Sequence, residues 1–231
     1  MPSAPDAILT LMLCIMSVTL HEAAHAWVAL LGGDRTAHEG GQVSLNPIPH
    51  IRREPVGMLV FPIVTVFITG WPMGFASAPF DPHWAIKHPK RAARMAAAGP
   101  LANLLLMVIA GLLIRWGVAR GVYFPLDEIE FGKIVGCQSH FLAGVGFVLG
   151  MCFCMNMVMF LFNLLPLPPL DGSGIMIMFM NEETAEKYLA IVHQPAIGLI
   201  GILIAWKLFS LVLAPIFPFA VGLLYPGVSY G

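Results

Sequence analysis

The sequence predicts an all-α polytopic membrane protein, on composition and on the spacing of its apolar runs. Of 231 residues, 58% are hydrophobic and 11% charged, more apolar surface than one water-soluble core of this size can bury. Apolar runs long enough to cross a hydrocarbon layer of ~30 Å recur along the chain. The formal net charge of -1 leaves no basic excess, so membrane lipid is an expected partner and nucleic acid is not. Residues 1–231 read as one integral membrane domain.

Taken in order, the first span runs from about Ala7 to Leu31. No basic segment precedes it, and its apolar character continues past His21 and His25, so it reads as a retained span and not as a cleaved signal peptide. Val56 to Trp71 is apolar but shorter, and Pro62 and Gly70 interrupt it. Full-length runs follow at Met95 to Ile114, Phe141 to Leu165 and Ala196 to Ala214. The last holds Lys207, whose long stem lets its charge snorkel to an interface. Pro215 and Pro218 break the apolar tail to Leu224, and its path stays open. Asn181 before Glu182 and Glu183 has the pattern of an N-cap opening a short surface helix.

Charge decides how Val56 to Trp71 is read. If it crossed, the basic residues would divide almost evenly between the two faces. If it dips in and returns, Arg35, Arg52, Arg53, Lys87, Lys90, Arg91, Arg94 and Lys187 share one face against Arg115, Arg120 and Lys133. The second arrangement obeys the positive-inside rule with the amino terminus outside. The stretch is therefore expected to be re-entrant.

Chemistry enters with His21-Glu22-Ala-Ala-His25, set in the first span after fourteen uncharged residues, Ala7 to Leu20. Ionisable groups at such depth are costly and mark function. On a helix the two histidines share one face, so both imidazoles reach one metal ion while Glu22 sits beside it. A hydrolytic zinc site takes three protein ligands and leaves one position open. Asp171, just past the end of the Phe141 to Leu165 span, is the candidate third ligand. It meets His25 at equal depth if the two helices run parallel, which one crossing between them provides. The expected set is one zinc ion per chain on His21, His25 and Asp171, near the cytosolic face, with Glu22 moving protons.

Other polar residues carry weaker expectations. Asn163 closes its helix where its amide can donate to developing negative charge, or act as interhelical glue. Asn156 is expected to be glue, and Asn103, after Gly99-Pro100, architectural. Cys14, Cys137, Cys152 and Cys154 read as packing or lipid-facing thiols, since Cys152 and Cys154 point about 200° apart on a helix. His38, His50, His83, His88, His140 and His193 lack ligand spacing and are expected to be solvated or interfacial. Met176, Met178 and Met180 read as adaptable apolar filler. Gly41 to Pro47 and Phe75 to Phe80 read as short extended segments, predicting membrane-associated β segments, one of which would offer an edge to an unwound substrate.

His21-Glu-Ala-Ala-His25, Gly99-Pro100-Leu-Ala-Asn103 and Asn163-Leu-Leu-Pro166 through Leu170-Asp171-Gly172, in that order, resemble the site-2 protease family of intramembrane zinc metalloproteases. The resemblance implies a transmembrane helix bundle with a three-helix core holding zinc, reached by water from the cytosolic side. It also implies cleavage of transmembrane segments of regulatory proteins. The chain is similar to minimal prokaryotic forms without PDZ or CBS domains, which implies a prokaryotic plasma membrane. Ser77 stands where those relatives lead one to expect lysine. Two other classes compete: a metal-binding membrane scaffold that engages transmembrane partners without cutting them, and a divalent-metal transporter. The first needs no general base, and the second expects a repeated half-structure that the sequence lacks.

Overall fold

The structure is a computed structural model that describes residues 3–192 and 194–228. In chain order it contains α1 (Ala4–Leu31), α2 (Thr36–Glu39), α3 (Pro47–Arg53), a π-helical turn (Val56–Val60) running into α4 (Phe61–Thr69), α5 (Pro82–Lys87) and α6 (Pro89–Ala119). Then come α7 (His140–Asn163), α8 (Asp171–Ile175) with a 3-10 turn (Met176–Phe179), α9 (Glu182–Val192) and α10 (Pro195–Leu224). α1, α6, α7 and α10 are long and apolar enough to cross a membrane.

Local chemistry sets the ends of these helices. Ser3 caps α1, its hydroxyl accepting the Asp6 N–H at 3.3 Å, and Gly32 and Gly33 stop it, Gly33 at φ 97°. Asn46, Asp81 and Asn181 cap α3, α5 and α9 with side-chain oxygens that accept backbone N–H groups, which satisfies donors a helix start leaves open. Asn181 thus does what its sequence context predicts. α6 and α10 run beyond the expected spans. Pro100 lies inside α6, and Pro215 and Pro218 inside α10, so the tail to Leu224 is helical. Packing of neighbouring helices compensates such breaks in apolar surroundings.

α6 is the centre of the bundle, packed on α1 and α7. Buried Cys14, Val18, Met58, Met151 and Met155 join α1 and α7 to the π-helical turn. Ile114, Phe153, Met157 and Val221 join α6, α7 and α10. Outward-facing Leu101, Leu105, Leu112, Leu203 and Trp206 stay exposed, an apolar exterior suited to lipid. No strand is present among the described residues; there are two isolated bridges, Phe124 with Gly136 and Glu130 with Lys133. Residues 41–47 and 75–80 thus form no ladder. Their neighbours take the polar groups instead: the Phe75 N–H donates to Gly57 O at 3.1 Å, and the Arg53 Nε–H to Ser77 O at 3.1 Å.

Several contacts join the segments on either side of the π-helical turn and α4. The Asp81 N–H donates to Asp34 Oδ2 at 2.9 Å, Ser77 Oγ to Glu54 Oε1 at 3.0 Å, and both Trp84 Nε1 and Arg91 Nη1 to Gly32 O at 3.0 Å. A Cβ on Gly57 would strike the Phe75 carbonyl, so glycine permits that approach.

Candidate metal centre

His21 and His25 lie one turn apart in the C-terminal half of α1, 5% and 6% exposed, with Glu22 at 5%. The third element, α8, starts at Asp171. Gly172 sits so close to the end of α7 that a Cβ would strike the carbonyls of Leu164 and Leu165, and a Cβ on Gly174 would press on Ala96 of α6 at 2.8 Å. The two glycines therefore let α8 seat between α7 and α6. That seating brings Asp171 Oδ2 to 3.1 Å from His21 Nε2 and Oδ1 to 3.3 Å from His25 Nε2. The two Nε2 atoms are 3.0 Å apart.

The far side of the His25 ring determines what its near side offers. His25 Nδ1 is 2.7 Å from Met95 O, an atom that only accepts, so Nδ1 carries the hydrogen and Nε2 the lone pair. His21 Nδ1 is 2.5 Å from Asn103 Oδ1, with the same result. In the neutral form of both rings, two imidazole lone pairs and a carboxylate thus face one another at 3.0–3.3 Å. Asp171 Oδ2 and Glu22 Oε2 are buried without a hydrogen-bond donor among the described residues. Acceptors gathered this way repel until a cation lies among them. In a tetrahedral zinc site with bonds of ~2.0–2.1 Å, ligand atoms stand about 3.3 Å apart.

The donor set fits zinc: two imidazoles and one carboxylate, three ligands that leave the fourth position to a non-protein group. Among the described residues these three form the one group of His, Cys, Asp or Glu side chains placed to hold a metal. α6 closes the site with backbone, because a Cβ on Gly99 would collide with both Nε2 atoms. Each histidine is oriented by a partner behind it, the usual second layer of a metal site.

Sequence reasoning singled out His21, Glu22, His25 and Asp171; the structure brings His21, His25 and Asp171 together, with Glu22 buried next to His21 in α1. It read Asn103 as architectural, whereas Asn103 holds His21; an asparagine following Gly99-Pro100 in an apolar span was the available signal. The Met95 carbonyl carries no sequence signal. Asn156 links helices as expected: its Oδ1 accepts from Asn103 Nδ2 at 2.8 Å, and its Nδ2 donates to Ser17 Oγ at 3.1 Å. Half-buried Asn163 donates to Met159 O at 3.0 Å. His50 corrects its expectation. It is 1% exposed, held by its Nε2–H to Ser44 O at 3.0 Å, because the loop before α3 folds over it. His38 and His83 are exposed and His88 is partly so; the side chain of His140 and all of His193 lie outside the described residues. The four cysteines are free, Cys14 and Cys154 packed in the core. Met178 and Met180 pack beside Ile177, Ala185 and Leu189, as apolar filler does.

Comparison with known proteins follows the same residues. The profile of peptidase family M50 matches residues 8–208. A Bacillus subtilis protein named "Putative zinc metalloprotease YwhC" is 34% identical over 74% of this chain and 67% of its own length. "Putative zinc metalloprotease Rip2" of Mycolicibacterium smegmatis is 30% identical over 78% of this chain and 60% of its own length, and its Mycobacterium tuberculosis (Erdman) namesake 27% identical over 83% and 67%. The chain thus spans about two thirds of these relatives. No solved structure gives a significant match. With the His-Glu-x-x-His helix, the distant aspartate and four apolar helices in place, the chain belongs to peptidase family M50, the site-2 protease family of membrane zinc metalloproteases.

Proposed function

We propose that the chain is an intramembrane zinc endopeptidase that hydrolyses peptide bonds in or near transmembrane segments of membrane-bound regulatory proteins. The observation that carries this is the convergence of His21, His25 and Asp171 around one point, with Glu22 buried next to His21 in the same helix. One zinc ion per chain, held by those three residues, supplies Lewis acidity and a hydrolytic nucleophile near neutral pH. Glu22 takes the proton of the attacking water and delivers it to the leaving amine. Asn163 spends one amide hydrogen on Met159 O, and its second donates to the negative charge that develops on the scissile carbonyl.

A helical substrate hides its peptide bonds, so the substrate must be unwound at the site. Residues 41–47 or 75–80 offer backbone to such a strand, with lipid around the remainder of the substrate helix. The joined segments that flank the π-helical turn and α4 support a re-entrant Val56–Trp71; the loop charges this gathers on one side place the site, in this reading, near the cytosolic face, and the resemblance to minimal prokaryotic forms implies a prokaryotic plasma membrane. Proline placed at alternate positions of 75–80 tests the pairing: cleavage is expected to fall at the positions whose N–H faces the substrate, and unchanged cleavage removes that segment from the role.

The central test uses protein purified in detergent, its bound metal measured and a panel of transmembrane peptides presented to wild type and Glu22→Gln. Near-stoichiometric zinc in both and cutting by wild type alone is the expected result. Equal cutting by both removes Glu22 from the mechanism. Zinc without cutting of any peptide favours the metal-binding scaffold, for which an intact Glu22 has no use.

A further inference from the structure

We propose that Asn156 of α7 determines, through Asn103 of α6, whether the His21 nitrogen that faces the metal carries a lone pair or a hydrogen. The inference rests on the zinc site above but not on peptide cleavage. It begins at an atom with no choice of role. The backbone carbonyl of Cys152 only accepts, and Asn156 Nδ2 lies 2.9 Å from it. The other hydrogen of the same amide points to Ser17 Oγ at 3.1 Å. Asn156 Oδ1 is thereby turned toward Asn103, 2.8 Å from its Nδ2. Asn103 donates there and must present Oδ1 to His21 Nδ1. An oxygen at that place accepts, so the imidazole hydrogen sits on Nδ1 and the lone pair on Nε2.

The chain of bonds crosses three membrane helices and is dry. Asn103 and Asn156 are 0% exposed and Ser17 is 2% exposed, so water does not stand in for a missing partner, and each bond constrains the next. Reversing Asn103, which a reversed Asn156 would force by setting its own NH2 against Asn103 Nδ2, sets an NH2 group against Nδ1. The ring then favours its other tautomer, with the Nε2 hydrogen aimed at Asp171 and His25. Such a ring does not bind a metal through Nε2, since a ligand imidazole offers a lone pair there. Asn156 and Asn103 are positioning residues in this scheme. Simple interhelical glue is the competing role, and epistasis separates the two.

The experiment measures zinc affinity by chelator competition for wild type, Asn156→Leu, Asn103→Asp and the double variant. An aspartate at 103 only accepts from Nδ1, whichever way it turns, so it fixes the tautomer without help from Asn156. Asn156→Leu is expected to weaken zinc binding about tenfold in the wild-type background and less than about twofold in Asn103→Asp. No loss in the wild-type background, or an equal loss in both, overturns the proposal, the second by assigning Asn156 to packing. If Asn156→Leu does not fold, Asn156→Ala carries the same comparison in the two backgrounds, with the same expected and overturning results. In zinc-loaded wild type, nitrogen-15 spectra of the histidines should show a slowly exchanging hydrogen on His21 Nδ1. A hydrogen on Nε2 there rules the relay out, whether or not any peptide is cleaved.

Discussion

Lys90 Nζ lies 2.6 Å from the Met180 carbonyl oxygen, and the same ammonium reaches Met178 O at 2.7 Å and Ile177 O at 3.2 Å. All three of its hydrogens are thus directed at the turn that follows α8. Carbonyls at a helix end lack intrahelical donors and attract a cation. The start of α6 therefore steadies the segment that carries Asp171. The stem of Lys90 is exposed, so solvent weakens the effect, and Lys90→Met is expected to cost about 1 kcal/mol locally. Hydrogen exchange of residues 173–180 should speed up about fivefold while α1 is unaffected. Unchanged exchange would show that packing of Ile177 on Ala93, Ala185 and Leu189 holds the turn alone.

Gly99 tests the same helix at the metal itself. Alanine there adds a Cβ where both Nε2 atoms already stand. Overpacking of a buried site typically costs about 1–3 kcal/mol, and here the strain falls on the ligands. Gly99→Ala is expected to retain its helical circular dichroism in detergent and lose more than about 90% of its bound zinc, a loss of at least tenfold in affinity. Full zinc content in a folded Gly99→Ala would mean that α6 stands farther from the histidines than the structure has it.

What the sequence showed and what it hid divide along a physical line. His21, Glu22 and His25 were legible because helical spacing places them on one face, and Asp171 because its distance from a span end and the charge balance of the loops agreed. The supports were not legible. A carbonyl such as Met95 O has no letter of its own, and Lys90 looks like any other loop cation until its acceptors, some ninety residues away, are in place. Pro215 and Pro218 read as breakers, yet α10 continues through them. Burial of His50 depends on tertiary folding of 41–46, which no local pattern encodes.

Asp34 adds a pH dependence outside the spans. Burial pushes its carboxyl up, but the Thr36 hydroxyl at 2.6 Å and the Thr36 and Asp81 N–H groups, each at 2.9 Å, outweigh it and hold the group below its ordinary value of 3.8. A folded-state value below the unfolded one gives stability that is complete above the unfolded value and disappears as pH falls through the folded one. The tie between the end of α1 and Asp81 should persist from neutral pH to about 5 and loosen below about 4. Proteolysis of residues 72–82 in detergent should accelerate in that acid range. Asp34→Asn, which lacks the charge, should be cut faster at pH 7 and show a smaller further change. An acid response identical to wild type would assign the loosening to other carboxylates.

The path of Val56–Thr69 gives the last prediction. The π-helical turn and α4 together are about 21 Å long at 1.5 Å per residue, short of a ~30 Å hydrocarbon layer. Arg53 and Glu54 on one side of the stretch hold Ser77 on the other, and Asp34 holds Asp81. Groups in direct contact are expected on the same face of a membrane, and the proposed re-entrant path predicts which side each loop faces. Single cysteines at Glu39, Ser77, Glu186 and Asp127, all exposed, in a background without the native thiols, read this out with a membrane-impermeant reagent. Asp127→Cys should label from outside in intact cells, and the other three only once the cytosolic face is opened. Labelling of Ser77→Cys from outside together with Asp127→Cys would make the stretch a full span, separate Arg53 from Ser77, and place the charge balance of the loops against the positive-inside rule.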